Sequence, residues 1–264
     1  MLFLFESPVK SRFLNYKTGS IFDTTLSEKG EFMGRIVAIA GGNLESTHKI
    51  NQYIVALAGR EKANLLFIGT ASHDAVEYIE VIHTEFESLG CDVKELNLTS
   101  EKYTDEEIDE LLDQADIIYV GGGDTAFMVN AWREYGLDSK LKKVYLTDRA
   151  VLSGISAGAM CWFNCGHSDS SVFWKDGNIG YGWINGLLDI HSYAFCPHYD
   201  ERKDSFDEMI REKPLPGLAL DENVAFVDES GPVHFISSKE SAKAYLMTFH
   251  DGKLVKQEQN VIVL

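Results

Sequence analysis

The segment from Val151 to Met160 constrains the fold of this chain more than any other, and it reads Val-Leu-Ser-Gly-Ile-Ser-Ala-Gly-Ala-Met. An apolar run enters a Gly-x-Ser-x-Gly pattern centred on Ser156, and residues of good helix propensity follow. Gly154 and Gly158 leave room for a tight turn, which predicts a buried strand that bends sharply into a helix with the serine at the bend. The alternative is an ordinary strand-to-helix turn.

A nucleophile elbow of this kind needs an α/β framework, and the surrounding sequence predicts one. Up to the elbow, short apolar segments alternate with segments of helical periodicity, as in a mostly parallel sheet with helices on both faces. Beyond about residue 177 the pattern changes to closely spaced strand-like pieces. The predicted strands are 35–40, 64–69, 91–96, 116–120, 194–197, 217–220, 224–227, 233–236, 245–249 and 254–257. The predicted helices begin at Ser46, after Asp74, at Thr104, at Thr125, near Leu137 and near Arg202.

The length of 264 residues suits one large domain, which we expect to span residues 34–264. Residues 1–33 have no clear periodicity and are interpreted as an N-terminal extension of unknown role. A flexible arm, an edge element and a dimer contact all fit this extension, so a homodimer stays open.

Net charge and hydropathy exclude several classes of partner. The formal net charge is −17 and no basic stripe offsets it, which argues against nucleic acid and against an anionic membrane surface. No apolar run approaches the roughly 20 residues that a membrane-spanning helix needs. The first residues lack a basic region and soon meet Glu6 and Pro8, unlike a secretory signal. A cytoplasmic protein is expected.

The cysteines give no indication of a metal centre. The chain has four, Cys91, Cys161, Cys165 and Cys196, and no Cys-x-x-Cys pair. Reduced, mostly buried thiols are the favoured interpretation, with a zinc or redox site as the alternative. We therefore expect neither a metal nor an organic cofactor.

A serine hydroxyl becomes a good nucleophile only when a base removes its proton. Among eight histidines the best candidate is His198, which directly follows a short apolar strand. Parallel α/β sheets carry their functional side chains at the carboxyl ends of strands.

Attack on a carbonyl also needs donors for the developing oxyanion. An elbow supplies the N–H of the residue after the nucleophile, here Ala157. Gly122 and Gly123 lie in a Gly-Gly-Gly loop between a buried strand and a helix, and either could supply the second donor. A phosphate-binding loop and a plain tight turn are the alternatives, although no lysine follows at P-loop spacing.

The carboxylate that would orient the histidine is less well determined. Asp221 and Glu222 both close a predicted strand, and in extended backbone they would point in opposite directions. Asp169 is a third contender. Asp221 is preferred, with Asp169 and Glu222 as weaker candidates.

Four motifs occur in order: Gly121-Gly-Gly-Asp-Thr125, Gly154-Ile-Ser156-Ala-Gly158-Ala, Pro197-His198 and Leu220-Asp-Glu-Asn223. With them the chain resembles peptidase family S51, which includes aspartyl dipeptidase (dipeptidase E) and cyanophycinase, over about residues 34–250. The resemblance implies a flavodoxin-like fold akin to class I glutamine amidotransferase domains, with serine in place of cysteine. It implies that Ser156 is the nucleophile, His198 the base, and the glycine loop with Ala157 the oxyanion hole. Asp221 falls where relatives have an acidic residue.

The same resemblance implies a substrate class. Family members cleave beside aspartyl residues, which calls for a cation near the acyl pocket, and Arg202 is the candidate to hold that carboxylate. We expect a serine-type peptidase that acts on short peptides, with aspartyl dipeptides as its expected substrates. The alternatives are a cyanophycinase-like hydrolase of β-aspartyl peptides and a noncatalytic binding module on the same fold.

Overall fold

Two β-sheets and seven α-helices make up the part of the chain that the computed structural model describes, residues 34–250 and 253–264. The expectations for residues 1–33 lie outside it. The helices are α1 Leu44–Ala58, α2 Val76–Ser88, α3 Asp105–Gln114, α4 Thr125–Tyr135, α5 Leu137–Leu146, α6 Ala157–Met160 and α7 Tyr199–Met209. The strands are β1 Arg35–Ile39, β2 Asn64–Ile68, β3 Asp92–Glu95, β4 Ile117–Val120, β5 Val151–Ile155, β6 Phe163–Ser168, β7 Gly182–Asn185, β8 His191–Cys196, β9 Gly217–Leu220, β10 Val224–Glu229, β11 His234–Ser237, β12 Ala244–His250, β13 Lys253–Glu258 and β14 Val261–Val263.

The first sheet has eight strands in the order β14-β11-β10-β1-β5-β4-β2-β3. From β1 to β3 all neighbours are parallel, and β10 joins β1 antiparallel. Strands β4 and β5 are buried along their whole length. Continuous apolar runs such as Ile117-Ile-Tyr-Val120 fit this position, because a central parallel strand is covered on both faces.

Local signals in the sequence fix the helix ends. The Thr104 side chain accepts from the backbone N–H of Glu107, whose carboxylate accepts from the Thr104 N–H, so the predicted capping box begins α3. For α1 the N-cap is Asn43, one turn earlier than expected, and Ser46 is its reciprocal partner in a second capping box. Gly59 ends α1 in the left-handed conformation, as predicted.

A second sheet has six strands in the order β13-β12-β9-β8-β6-β7, whereas β10, β11 and β14 of the strand-rich C-terminal portion join the first sheet. Strands β6, β8 and β9 are parallel, and the outer strands are antiparallel. One continuous apolar cluster joins the two sheets. Within it, Phe163 stacks on Phe195 at 4.2 Å between ring centroids and meets the edge of Phe226 from the first sheet. The prediction of one domain over residues 34–264 stays a prediction.

The helix expected after the elbow is present but short. Helix α6 ends at Met160, and the chain enters β6 at Phe163. The reason is tertiary, because β6 begins at Phe163 and both Phe163 and Cys165 are buried in the core of the second sheet. None of the helices in the described ranges has the length and apolar character needed to span a membrane.

Candidate active site

The loops that carry the predicted motifs meet at one edge of the first sheet. Gly41 follows β1, the Gly121–Gly123 loop follows β4, and Ser156 follows β5. These three strands are parallel neighbours, so their carboxyl ends lie side by side. His198 follows β8 of the second sheet and reaches the same place. The crevice expected at the carboxyl ends of the strands is therefore formed by both sheets.

Ser156 has the backbone geometry of a nucleophile elbow, with φ 55° and ψ −110°. This conformation is unfavourable for a residue with a Cβ and typically costs about 1–3 kcal/mol. The flanking glycines are required sterically. A Cβ at Gly158 would lie 2.1 Å from the carbonyl oxygen of Val120, and one at Gly154 would lie 2.7 Å from the same atom. The last residue of β4, Val120, thus packs directly against the elbow.

His198 joins the serine to an acid. Its Nε2 lies 2.9 Å from Ser156 Oγ, and its Nδ1 lies 2.9 Å from Glu222 Oε1. With the proton on Nδ1, the ring donates to the carboxylate, and Nε2 accepts from the serine hydroxyl. The imidazole is 17% exposed, so the base is shielded but reachable from solvent. The three side chains form a continuous hydrogen-bonded chain.

The acid in contact with the histidine is Glu222, and the preference for Asp221 does not agree with the structure. Asp221 continues the β9–β12 ladder, where its carboxylate accepts from the backbone N–H of Lys243 at 2.9 Å. Burial raises the pKa of this carboxyl. The chain turns at Glu222, whose own N–H donates to Asp200, so successive carboxylates point to different sides. Which of the two carboxylates contacts His198 depends on this turn.

Asp169, the other contender, pairs with Arg202. The Asp169 Oδ2 atom lies 3.0 Å from Arg202 Nη2, and Arg202 Nη1 donates to the carbonyl of His167 at 3.1 Å. The arginine side chain is only 6% exposed, whereas the aspartate is 41% exposed. The predicted substrate-binding cation therefore lies one helical turn after His198, with a carboxylate already on it.

The glycine loop lies against Ser156. A Cβ at Gly122 would be 3.3 Å from Ser156 Cβ. The N–H of Gly122 donates to the Tyr78 hydroxyl at 3.3 Å. In contrast, the N–H groups of Gly123 and Ala157 have no acceptor within the described ranges. Two of the three predicted oxyanion donors are thus unengaged, and the third has a partner that no sequence motif indicated.

Gly41 belongs to the site although it was not singled out beforehand. A Cβ at this position would lie 2.4 Å from both Nδ1 and Cε1 of His198 and 3.2 Å from Glu222 Cγ. Its carbonyl also accepts from the N–H of Asn223, which ties the loop of the acid to the end of β1. Its position just after the carboxyl end of β1 is the sequence feature that could have indicated it as a site residue.

We expect Gly41→Ala to displace the His198 ring and to lower the rate at which Ser156 reacts with a fluorophosphonate by about 100-fold, because small misplacements of a base are costly. Intact-protein mass spectrometry over time measures this rate. Gly231→Ala is the matched control, since no atom lies within 4 Å of a Cβ there. Equal rates for both variants would contradict the role of Gly41.

The four cysteines do not form a second centre. All are free and buried, and Cys165 lies in β6. Burial raises the pKa of the Cys161 thiol well above its ordinary value, which keeps it protonated. Among the residues with described coordinates, no group of three or more His, Cys, Asp and Glu side chains could hold a metal ion.

Comparisons with known proteins identify the family of the chain. The model of the family "Peptidase family S51" matches residues 36–236. The chain is 33% identical over 232 residues to "Uncharacterized peptidase YgaJ" of Bacillus subtilis (strain 168), covering 83% of this chain and 95% of the relative.

Solved structures show the same fold. A crystal structure of a peptidase from an acI-B1 Actinobacterium superposes with a TM-score of 0.67 at 18% identity, covering 89% of this chain and 98% of the other. A putative peptidase E protein from Listeria monocytogenes EGD-e superposes with a TM-score of 0.59 at 21% identity, covering 77% and 98%. The predicted flavodoxin-like α/β fold is confirmed. Since the family model covers the elbow, the glycine loop, His198 and Glu222, the chain belongs to peptidase family S51.

Proposed function

We propose that this chain is a serine-type peptidase that hydrolyses short peptides through an acyl-enzyme, with Ser156, His198 and Glu222 as its triad. The observation that carries the proposal is the pair of 2.9 Å contacts that join the serine to the histidine and the histidine to the glutamate. Membership of a peptidase family supplies the class of bond that is cleaved. The strained elbow supports the role of Ser156, because such strain persists mainly where function requires it.

In this mechanism His198 Nε2 takes the proton of Ser156 as Oγ attacks the peptide carbonyl. The imidazolium then gives that proton to the leaving nitrogen, the C–N bond breaks, and the acyl group remains on Oγ. Water then attacks the acyl carbon as His198 takes its proton. The imidazolium gives that proton to Oγ as the ester C–O bond breaks, which releases the acid and restores the serine hydroxyl. Glu222 stays ionised and stabilises the imidazolium. The unengaged N–H groups of Gly123 and Ala157 are our candidates for holding the oxyanion.

The finer part of the proposal is a preference for an aspartyl residue on the acyl side. Arg202 would hold the substrate carboxylate with two hydrogen bonds, and this carboxylate would replace that of Asp169. The Asp169 side chain can give way because it is 41% exposed and can turn toward solvent. A cyanophycinase-like preference is the second candidate. It is favoured by the same exposed carboxylate together with the net charge of −17, since both would attract a substrate that carries arginine.

Asp169→Asn separates the two preferences by the sign of its effect. If Arg202 binds the substrate carboxylate, removing its competitor lowers KM for Asp-Leu by about 2- to 5-fold, the range expected for losing a partly exposed ion pair. If Asp169 instead attracts a cationic substrate, KM for β-Asp-Arg rises. Steady-state kinetics on both dipeptides measure the effect. Asp176→Asn, which removes an exposed carboxylate from the same segment, is the control for net charge.

The proposal as a whole is tested with the wild-type chain. We expect a fluorophosphonate to add once, at Ser156 by peptide mapping, and free aspartate to be released from Asp-Leu or from β-Asp-Arg. Labelling without hydrolysis of any short peptide would retain the serine chemistry but reject the substrate class. No labelling even at high reagent concentration would favour the noncatalytic binding module and overturn the proposal.

A further inference from the structure

Tyr78, on the first turn of α2, reaches into the glycine loop beside the nucleophile. Its hydroxyl oxygen lies 3.3 Å from the Gly122 nitrogen and accepts its hydrogen bond. Its ring packs edge-on against Phe67 at 5.4 Å between centroids, and a Cβ at Gly121 would lie 3.0 Å from ring atoms of both side chains. The tyrosine is therefore held from both sides, and its hydroxyl has little freedom to move away from the loop.

The hydrogen-bonding capacity of this hydroxyl is only half used. A tyrosine hydroxyl can accept and can also donate one hydrogen bond. In the described ranges Tyr78 accepts from Gly122, and no acceptor there receives its own hydrogen. Polar hydrogens in partly enclosed positions generally find a partner, so an unused one at the edge of a crevice indicates a place where a ligand oxygen can sit.

Gly122 connects the hydroxyl of Tyr78 to Ser156. Gly122 is the residue of the loop that packs against the elbow, since a Cβ on it would lie 3.3 Å from Ser156 Cβ and 3.4 Å from the carbonyl oxygen of Ile155. Tyr78 binds the backbone nitrogen of this same residue. The tyrosine hydroxyl is thus separated from the serine by a single glycine.

We propose that the hydroxyl of Tyr78 is a donor of the oxyanion hole, accepting from Gly122 N–H and donating its own hydrogen to the oxyanion that forms when Ser156 attacks. The inference rests on the serine mechanism proposed above. It also changes the role predicted for Gly122. The N–H of Gly122 holds the Tyr78 hydroxyl instead of donating to the oxyanion itself. No proton is transferred, since the tyrosine keeps its hydrogen throughout the reaction.

Two physical effects favour this role. Burial raises the pKa of Tyr78 above its ordinary value, and the hydrogen bond from Gly122 opposes this only in part, so the hydroxyl stays protonated wherever the histidine can act as a base. An amide that donates to the hydroxyl oxygen also polarises the O–H bond, which strengthens the hydrogen bond that the hydroxyl donates. The donor is held in place before the oxyanion forms.

Tyr78→Phe tests the proposal, because phenylalanine keeps the ring packing and removes only the hydroxyl. Losing one oxyanion donor is expected to lower kcat by about 100-fold with KM within about 3-fold of wild type. The rate of fluorophosphonate labelling of Ser156, whose product has an oxygen in the same place, should fall by a similar factor. The melting temperature should stay within a few degrees.

Tyr119→Phe is the matched control. Tyr119 is fully buried, packs against the same Phe67, and has a hydroxyl without a hydrogen-bond partner among the described residues. We expect its removal to leave kcat and the labelling rate within about 2-fold of wild type. A change in KM alone, or equal effects of the two variants, would mean that Tyr78 acts only through packing and would overturn the inference.

The failure of this inference can be told apart from failure of the proposed function. If wild-type Ser156 is labelled and hydrolyses peptides while Tyr78→Phe retains its kcat, the tyrosine has no part in the oxyanion hole and the triad stands. If wild-type Ser156 is not labelled at all, the serine mechanism fails, and the role of Tyr78 fails with it.

Discussion

Ser156→Ala is expected to lower kcat/KM for the best dipeptide substrate by about 10⁴-fold or more, with an unchanged fold. The hydroxyl is the atom that would bond to the substrate carbonyl, and removal of the nucleophile from a hydrogen-bonded triad leaves only the contribution of binding and oxyanion donors. The elbow should persist, because Gly154 and Gly158 still supply the space for it and alanine has the same Cβ as serine. Release of free aspartate and thermal melting measure the two quantities.

Ser153→Ala provides the control for this experiment. Ser153 lies on the same strand, and its buried hydroxyl donates to the carbonyl of Val37 at 2.7 Å. Its removal should cost about 1 kcal/mol of folding free energy, the usual net contribution of such a hydrogen bond, with kcat nearly unchanged. A Ser156→Ala protein that retained a tenth or more of wild-type turnover would reject the acyl-enzyme.

Glu222→Gln should have the second largest effect, a fall in kcat of about 10³- to 10⁴-fold. The glutamate accepts from His198 Nδ1, which keeps Nε2 free to accept the serine proton, and its charge stabilises the imidazolium. Glutamine has no charge, and its amide can donate to Nδ1 and so favour the wrong tautomer. Steady-state kinetics with saturating substrate isolate kcat from binding.

Asp221→Asn is the natural comparison, because it removes a neighbouring carboxylate that binds the Lys243 N–H and not the histidine. We expect kcat within about 5-fold of wild type and a modest loss of stability. The reverse order, with Asp221→Asn the more damaging, would show that the acid was assigned to the wrong residue.

The sequence predicted most of the first sheet because the signals there are local. Fully buried strands such as Ile117–Val120 are continuous apolar runs. The capping residues Thr104 and Gly59 indicate where α3 begins and where α1 ends. The second sheet was predicted less completely. Strands β6 and β7 of the second sheet were missed, as was β14 at the edge of the first sheet. Phe163–Ser168 has no β-branched residue to indicate a strand and becomes one by pairing with β7 and β8.

The candidate site shows the same division. Ser156, His198 and the glycine loop each follow a strand, and the carboxyl ends of strands are where α/β folds carry functional side chains. These residues could therefore be selected from the sequence. The choice between Asp221 and Glu222 could not, because it depends on where the ladder of β9 ends and the turn begins. The role of Tyr78 had no local signal, since it depends on the angle at which α2 lies across the loop after β4.

The origin of the three triad residues has a consequence for how this protein could lose activity. The serine comes from the first sheet, the histidine from the second, and Glu222 from the short connection that leads from β9 in one to β10 in the other. The reacting geometry therefore exists only while the two sheets keep their mutual alignment. A shift of about 1 Å between them can abolish most catalysis. We therefore expect turnover to depend directly on the contact between the two sheets. It can fall while circular dichroism shows every strand and helix intact.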